Sequence, residues 1–291
     1  MLCLRTMDNQ NLLLSVQDAD LAKSERAIFD VLQATLCFPA NTPVKAAKLA
    51  DDFVFFCRSK GDNEPSAAAT ILWDAWSVLI DVAACLPPGH PWQACLVQAI
   101  NTLAERDDTL LGTSRGPPWK DLPDLSSCLR ERWDDPTATV GAPAEELKSW
   151  RNLNSFAARL ASSGATALLL HLAVWQLRRA LEEPAVEGPT MACRVWVATD
   201  WISECAALIY QHLASAPGEQ QRVDEATARA LRTGPLCPDD TPPLSHARWS
   251  FWRKRFHELA KEAGSLNFGA DLSAHIMDAV GTMDTAAEHA V

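Results

Sequence analysis

Residues 150–164 read WRNLNSFAARLASSG, and this stretch indicates the fold class of the whole chain. When successive residues are placed 100° apart, one side of the resulting helix is apolar. That side holds Trp150, Leu153, Ala157, Leu160, Ala161 and Gly164. Asn154 falls at the edge of the stripe. Because an amide buried without partners costs on the order of 1–3 kcal/mol, Asn154 is expected to bond either a neighbouring helix or a ligand.

The helical pattern continues on both sides of this stretch. No segment shows sustained period-2 alternation, so the sequence predicts an all-α fold, an irregular multi-helix bundle of about ten helices without significant sheet. Prolines and glycines set most boundaries, and Thr42 is the predicted N-cap of the second helix. The predicted helices are about 18–37, 42–61, one within 64–89, one within 90–107, a short one ending near 134, 143–164, 165–182, 189–214, 218–232, 246–264 and 271–290. No composition break marks a second domain, so a single domain over 1–291 is expected, with a Pro-rich connection near 233–245.

Charge and cysteine usage predict a compartment and exclude several partners. The chain has 26 Lys and Arg against 37 Asp and Glu, a net charge of -11, which opposes binding to nucleic acid and to anionic lipid. No signal segment or long uncharged stretch is evident, so a cytoplasmic protein without membrane insertion is expected. The nine cysteines are irregularly spaced and form no C-x-x-C, which argues against disulfides and structural zinc.

Aromatic usage is unusual, with eleven Trp and one Tyr. Trp presents a large apolar face and one donor, so it suits both cores and pockets for apolar ligands. The candidate pocket walls are Trp73, Trp76, Trp150, Trp175, Trp201 and Tyr210. The alternative is that these side chains fill the core.

Three polar residues in apolar helical context are the candidate catalytic groups: Asn154, His171 and Asp81. Asn154 or His171 would donate a hydrogen bond or a proton to a substrate. Asp81 shares a helix face with Asp74, and burial would raise the pKa of such carboxyls unless a cation pairs with them. The structural alternatives are an amide that clamps two helices, a core histidine, and ion pairs with arginines.

The sequence also predicts arginine partners for four carboxylates in apolar helices. Asp74 and Asp81 are expected to pair with Arg151, Arg178 or Arg179. Asp200 and Glu204 lie four residues apart, so a cation should lie between them. The expected cation there is Arg178, Arg179 or Arg194.

Common catalytic motifs are missing from the sequence. It contains no G-x-S-x-G, no P-loop, no G-x-G-x-x-G, no H-E-x-x-H, and no aspartate pair that continues into D-D-x-x-[DE]. Classical hydrolases, NTPases, dehydrogenases and ionising terpene synthases are therefore disfavoured. No metal site and no cofactor are predicted. A metal bound by the carboxylates of Asp200 and Glu204 is a third reading, with weak support because no H-x-x-E or E-x-x-H accompanies them.

Several blocks in order resemble a known family: HPWQACLVQAI, WKDLPDLSSCLRERW, WRNLNSFAARLASSG and RVWVATDWISECAALIY. They resemble a family of filamentous-fungal proteins catalogued as a domain of unknown function, over roughly residues 65–215. The resemblance implies an all-helical protein whose genes sometimes lie in secondary-metabolite clusters. It implies no catalytic residues.

Two functions follow as expectations. The first is a cofactor-free isomerase or cyclase of fungal-type secondary metabolism that acts on an apolar terpenoid or polyketide, for example by an intramolecular Diels–Alder reaction. Such chemistry needs a near-attack conformation and one hydrogen-bond donor rather than a nucleophile or metal. The alternative is a non-catalytic helical interaction or regulatory protein.

Overall fold

Helices account for the regular secondary structure of the chain in its computed structural model, which describes residues 11–61, 65–111, 117–139, 141–164, 169–214, 229 and 231–289. Eleven α-helices and no strand occur among these residues, so the predicted all-α class is confirmed. The helices group into two compact units, Met1–Asp134 and Asp135–Val291. The single domain expected from the sequence stays a prediction.

The first unit is built around one apolar helix. Its helices are α1 (Leu14–Gln17), α2 (Lys23–Cys37), α3 (Thr42–Gly61), α4 (Pro65–Cys85), α5 (Pro91–Ala104) and α6 (Leu125–Glu131). Helix α4 packs against α2, α3 and α6, and α3 packs against α5. By length and mean hydropathy alone, Ser66–Cys85 could cross a membrane. Trp76, Val78 and Leu79 of this helix are buried, so its apolar character is also that of a core helix.

The second unit is built around a long central helix. Its helices are α7 (Ala144–Ser162), α8 (Leu170–Leu181), α9 (Pro189–Leu213), α10 (His246–Lys261) and α11 (Ala270–Glu288). Helix α9 packs against α7, α8 and α11. Its buried residues lie on several sides, as expected of a helix enclosed by neighbours.

Most helix ends lie within a few residues of the predicted positions, with identifiable differences. The first predicted helix begins at Lys23 rather than near residue 18, because a separate short helix precedes it. The cap predicted at Thr42 is wrong by one residue, since Asn41 Oδ1 accepts the N–H of Val44 at 3.1 Å. Gly164 ends α7 with φ +84°, as its position in the sequence predicts. The predicted helix over 218–232 lies mostly outside the described residues.

Candidate functional site

The Asn154 amide joins the two best-packed helices of the second unit. It is fully buried, and its Nδ2 donates to the Trp150 carbonyl at 2.9 Å, one turn earlier in α7. Its Oδ1 accepts the indole N–H of Trp201, from α9, at 2.9 Å. The structure thus brings together three of the predicted site residues. Because both sides of the amide are bonded within the protein, the helix-clamping interpretation explains its burial without a ligand.

The other aromatic and histidine candidates of the second unit have different surroundings. His171 and Trp175 lie one turn apart on α8, and both are half-buried. Tyr210 stacks on the His246 ring with centroids 4.0 Å apart, and it meets the edge of Trp249 at 5.3 Å. Tyr210 is therefore part of the contact between α9 and α10.

The remaining predicted site residues belong to the first unit. Trp76 is fully buried, and its indole N–H donates to the Pro123 carbonyl at 2.8 Å. Trp73 is half-buried on the same helix. Asp81 accepts two hydrogen bonds from Arg132, at 2.7 and 3.4 Å. Asp81 is thus engaged in an ion pair at the partly exposed edge of α4.

The arginine partners predicted for these four carboxylates are wrong. Asp81 pairs with Arg132, and Asp74 accepts the Ser24 hydroxyl at 2.7 Å. Asp200 pairs with Arg151 at 3.0 Å, and Glu204 pairs with Arg159 at 3.3 Å. The residues expected at Asp200 and Glu204 bond elsewhere: Arg178 to Glu183, Arg179 to Glu183 and Asp135, and Arg194 to the Thr137 carbonyl. Each partner comes from the helix or segment that packs against the carboxylate, and the distance along the sequence does not determine which one that is.

A buried ion pair around Glu182 was not predicted from the sequence. Glu182 and Arg248 are both fully buried, and Arg248 Nε donates to Glu182 Oε1 at 2.5 Å. The indole of Trp252 donates to the same oxygen at 2.6 Å, and the Gly234 N–H donates to Oε2 at 2.5 Å. Arg248 also donates to the carbonyls of Leu231, Arg232 and Pro243. We name this set the Glu182 centre.

The Glu182 centre is structural in character. The carboxylate accepts from three groups, and the guanidinium is bonded to the carboxylate and to main chain, so the buried charges are compensated. Its bonds attach residues 231–243 to the end of α8 and to α10. A sequence signal existed, since Arg248 lies between Ser245, which caps α10, and the buried Trp249 and Trp252.

A second cluster surrounds Asp200 and includes residues that the sequence analysis did not name. The Arg151 guanidinium lies 3.7 Å from the centre of the Trp196 ring, and the His275 ring lies 4.7 Å from that indole. His275 Nε2 is 4.0 Å from Asp200 Oδ1. Burial raises the pKa of the Asp200 carboxyl, and hydrogen bonding to Arg151 offsets part of the rise. This arrangement can hold a proton, but its Arg–Asp pair is already complete without a ligand.

An open apolar groove lies between α2 and α3 in the first unit. Its volume is about 480 Å³. The lining residues define what we call the α2–α3 groove: Val31, Ala34, Thr35, Phe38, Ala40, Val44, Lys45 and Lys48. Phe38 is 61% exposed and Val44 is 55% exposed, so the groove displays large apolar side chains to solvent. None of these residues was named from the sequence, although the apolar positions beside Pro39 and Pro43 were a local signal.

A more polar groove adjoins the first along α2. It has a volume of about 500 Å³ and shares Ala34 with the α2–α3 groove. Its other lining residues are Asn11, Leu14, Gln17, Asp30, Gln33 and Cys37. Within the described part of the chain, no group of three or more His, Cys, Asp or Glu is placed to hold a metal ion.

Comparison with known proteins places the chain in a family without assigning an activity. A family described as "Protein of unknown function (DUF3632)" matches residues 76–256, which is more than half of the chain. No curated protein and no solved structure matches the chain significantly. The matched range includes Asn154, Asp200 and the Glu182 centre, and it lies after the α2–α3 groove.

Proposed function

Since the chain belongs to the DUF3632 family of proteins of unknown function, we propose a function from the geometry: it binds an apolar small molecule in the α2–α3 groove. The observation that carries this proposal is the exposure of Phe38 and Val44 beside an apolar groove of about 480 Å³. Sites for small molecules usually measure roughly 300–1,000 Å³ and are lined mainly by apolar side chains. Covering exposed apolar surface contributes about 25 cal/mol per Å², so an apolar ligand has a driving force there.

The hydrogen bonds of the buried polar residues support the groove as the ligand site in preference to the surroundings of Asn154 or Glu182. A ligand that used Asn154 would have to displace the Trp201 indole, and one that used Glu182 would have to separate it from Arg248. Each displacement would leave a buried polar group unsatisfied, at a cost of about 1–3 kcal/mol or more. The groove requires no such exchange.

The location of the groove limits the proposal to this chain. The family match begins at residue 76, whereas the groove residues lie between 31 and 48. Asn154 and the Glu182 centre, which join helices of the second unit, lie within the residues that the family model matches. We therefore propose that the shared region supplies the scaffold and that ligand binding belongs to the segment before it.

Titration with a neutral fluorescent probe, N-phenyl-1-naphthylamine, tests the binding function. We expect saturable enhancement of fluorescence with the native protein. Ala34→Trp places an indole at an exposed position of α2 that lines the groove, and it should weaken binding at least tenfold. The control is Met277→Ala, which removes another exposed apolar side chain, 48% accessible, from the second unit.

Two results would contradict the proposal. One is absence of saturable binding to the native protein. The other is equal affinity for native and Ala34→Trp proteins while both retain the same helical circular dichroism. Equal loss in the Met277→Ala control would point to general surface adsorption.

The catalytic form of this proposal is the cofactor-free isomerisation or cyclisation expected from the sequence. Its support is an apolar groove that could hold a terpenoid or polyketide close to a reactive conformation. Fungal origin and a secondary-metabolite gene cluster also belong to the proposal, as does a cytoplasmic location without nucleic-acid or membrane partners. Incubating the protein with extract from a strain lacking its gene, followed by mass spectrometry, tests conversion of an accumulated intermediate. Conversion at the native rate by Ala34→Trp would show that the reaction does not take place in the groove. Asn154→Ala and His171→Ala change residues that do not line the groove, and native rates for both would show that these two residues, expected from the sequence, are not catalytic.

The second candidate is a non-catalytic helical interaction or regulatory protein. The observation that favours it is the internal bonding of Asn154 and Asp81, which leaves their polar atoms engaged by the protein itself. Binding of the probe without conversion of any extract component would favour this candidate over the enzyme.

A further inference from the structure

One cation lies at the α2–α3 groove without a carboxylate partner among the described residues. Lys45 lines the groove and is half-buried, and its Nζ donates to the Leu36 carbonyl at 2.5 Å. Leu36 lies in the last turn of α2, so the ammonium sits at the negative end of the helix dipole. This contact fixes the position of the charge while using one of its three donors.

The neighbouring lysine provides an internal comparison. Lys48 also lines the groove, but its Nζ bonds both carboxylate oxygens of Asp52. Lys45 forms no ion pair within the described residues, and none of the residues that line the groove is acidic. A local positive charge beside apolar walls is a distinct feature on a chain whose net charge is -11.

We infer that the α2–α3 groove takes an amphiphile, whose apolar chain lies along Val31, Ala34 and Phe38 and whose carboxylate bonds Lys45. This inference rests on the proposed binding function and specifies its ligand class. Among the described residues that line the groove, Lys45 is the cation without a carboxylate partner, so a ligand carboxylate would neutralise it and accept its remaining donors in a charge-assisted hydrogen bond. The occupant is a small molecule, because the groove volume of about 480 Å³ lies within the roughly 300–1,000 Å³ that is usual for small-molecule sites.

Competition against the bound N-phenyl-1-naphthylamine probe separates head-group recognition from apolar binding. Three ligands share a ten-carbon chain: decanoate, decan-1-ol and decyltrimethylammonium. With the native protein, decanoate should displace the probe at a concentration at least tenfold lower than decan-1-ol does. Decyltrimethylammonium should perform no better than the alcohol. This comparison uses the native protein alone and does not depend on the folding of any variant.

Variants then assign the effect to one side chain. Lys45→Met keeps an apolar stem of similar length and should abolish the preference for decanoate, measured as the ratio of the displacing concentrations of decan-1-ol and decanoate. Lys45→Arg should retain the preference. Lys23→Met is the matched control, and it should also retain the preference because Lys23 is an exposed residue of α2 that does not line the groove.

The outcomes distinguish failure of the inference from failure of the proposed function. Equal displacement by decanoate and decan-1-ol would overturn the carboxylate assignment and leave groove binding intact. A preference that survives Lys45→Met would overturn the role of Lys45. If the probe itself does not bind, the proposed function fails together with the inference.

Discussion

The bonds of Asn154 make it a junction between two helices, and they determine what its replacement should do. Asn154→Leu preserves side-chain size but leaves the buried Trp201 indole N–H without its acceptor. We expect the free energy of unfolding to fall by about 1–3 kcal/mol. Urea denaturation of the single variant, of Trp201→Phe and of the double variant measures it. Because the two residues share one bond, the double variant should lose less than the sum. Strict additivity would contradict the assignment.

Asp200 predicts a pH-dependent change in stability when its cation is removed. Burial raises the pKa of this carboxyl above that of an unfolded Asp, so its contribution to stability falls as the pH rises through the folded-state pKa. Arg151→Met removes the opposing charge and should raise the pKa further. The variant should lose about 1–3 kcal/mol at pH 7, and less at pH 5, where more of the carboxyl is protonated.

The pH comparison separates the charge effect around Asp200, in which His275 takes part, from the loss of packing on Trp196, because the guanidinium–indole contact does not titrate. Urea denaturation at both pH values supplies the measurement. Arg159→Met is the control on the same helix, since its partner Glu204 is more exposed, with 34% of its side chain accessible against 9% for Asp200. An equal loss at pH 7 and pH 5 for Arg151→Met would show that the ion pair does not govern its effect.

The partners of individual side chains were the least predictable feature of the structure. The sequence identified Asp81, Asp200 and Asn154 as polar residues in apolar helices, and the structure places each against a partner. The partners themselves lie 51, 49 and 47 residues away along the chain. Local periodicity reports which face of a helix is apolar, but it carries no information on which helix covers that face.

Among the helices, the attachment of residues 231–243 to α8 and α10 depends on one close approach. A Cβ at Gly234 would lie 2.7 Å from the Glu182 carbonyl oxygen and 2.8 Å from the Glu182 Cβ. Gly234→Ala should therefore push this segment away from the Glu182 centre. We expect a loss of about 1–3 kcal/mol in the free energy of unfolding, measured by urea denaturation.

A second glycine provides the control for this change. Gly281 lies within α11, and a Cβ there would meet nothing within 4 Å. Gly281→Ala should stabilise the protein by about 0.5–1 kcal/mol, because alanine loses less backbone entropy in a helix. If Gly234→Ala were as harmless as Gly281→Ala, the close packing against Glu182 would not hold in solution.

Helix positions were largely predictable because their ends depend on nearby residues. Pro91, Pro189 and Gly164 mark ends that the structure reproduces within a few residues. The order in which helices pack was not predictable from these signals. The α2–α3 groove is an example. Phe38 is exposed because no other element packs over it, and its local sequence would be the same if it were buried.

At the scale of the whole molecule, the thiols should report on folding. Burial raises the pKa of Cys57, Cys128, Cys193 and Cys205 to about 12, and that of Cys95 to about 11. Since the thiolate is the reactive form, these five should resist alkylation in the native protein. A brief pulse of N-ethylmaleimide at about pH 7.5, roughly one unit below the pKa of a free thiol, measures this protection when it is read by peptide mass spectrometry.

Denaturant provides the reference state for that measurement. In concentrated guanidinium chloride all nine cysteines should react. Rapid native labelling of Cys193 or Cys205 would indicate that the contact between α7 and α9 opens readily, because their thiols donate to the carbonyls of Leu147 and Ala158 on α7.

The Glu182 centre also has a consequence for the time course of biosynthesis. Glu182 precedes Arg248 by 66 residues. At a translation speed of about 5–20 residues per second, roughly 3–13 s pass between the synthesis of the two. During that interval Arg248, the ion-pair partner of Glu182, has not yet been synthesised. Leaving the carboxylate hydrated then costs less free energy than burying it. We therefore expect the end of α8 to remain open on the ribosome and to be enclosed only when α10 emerges.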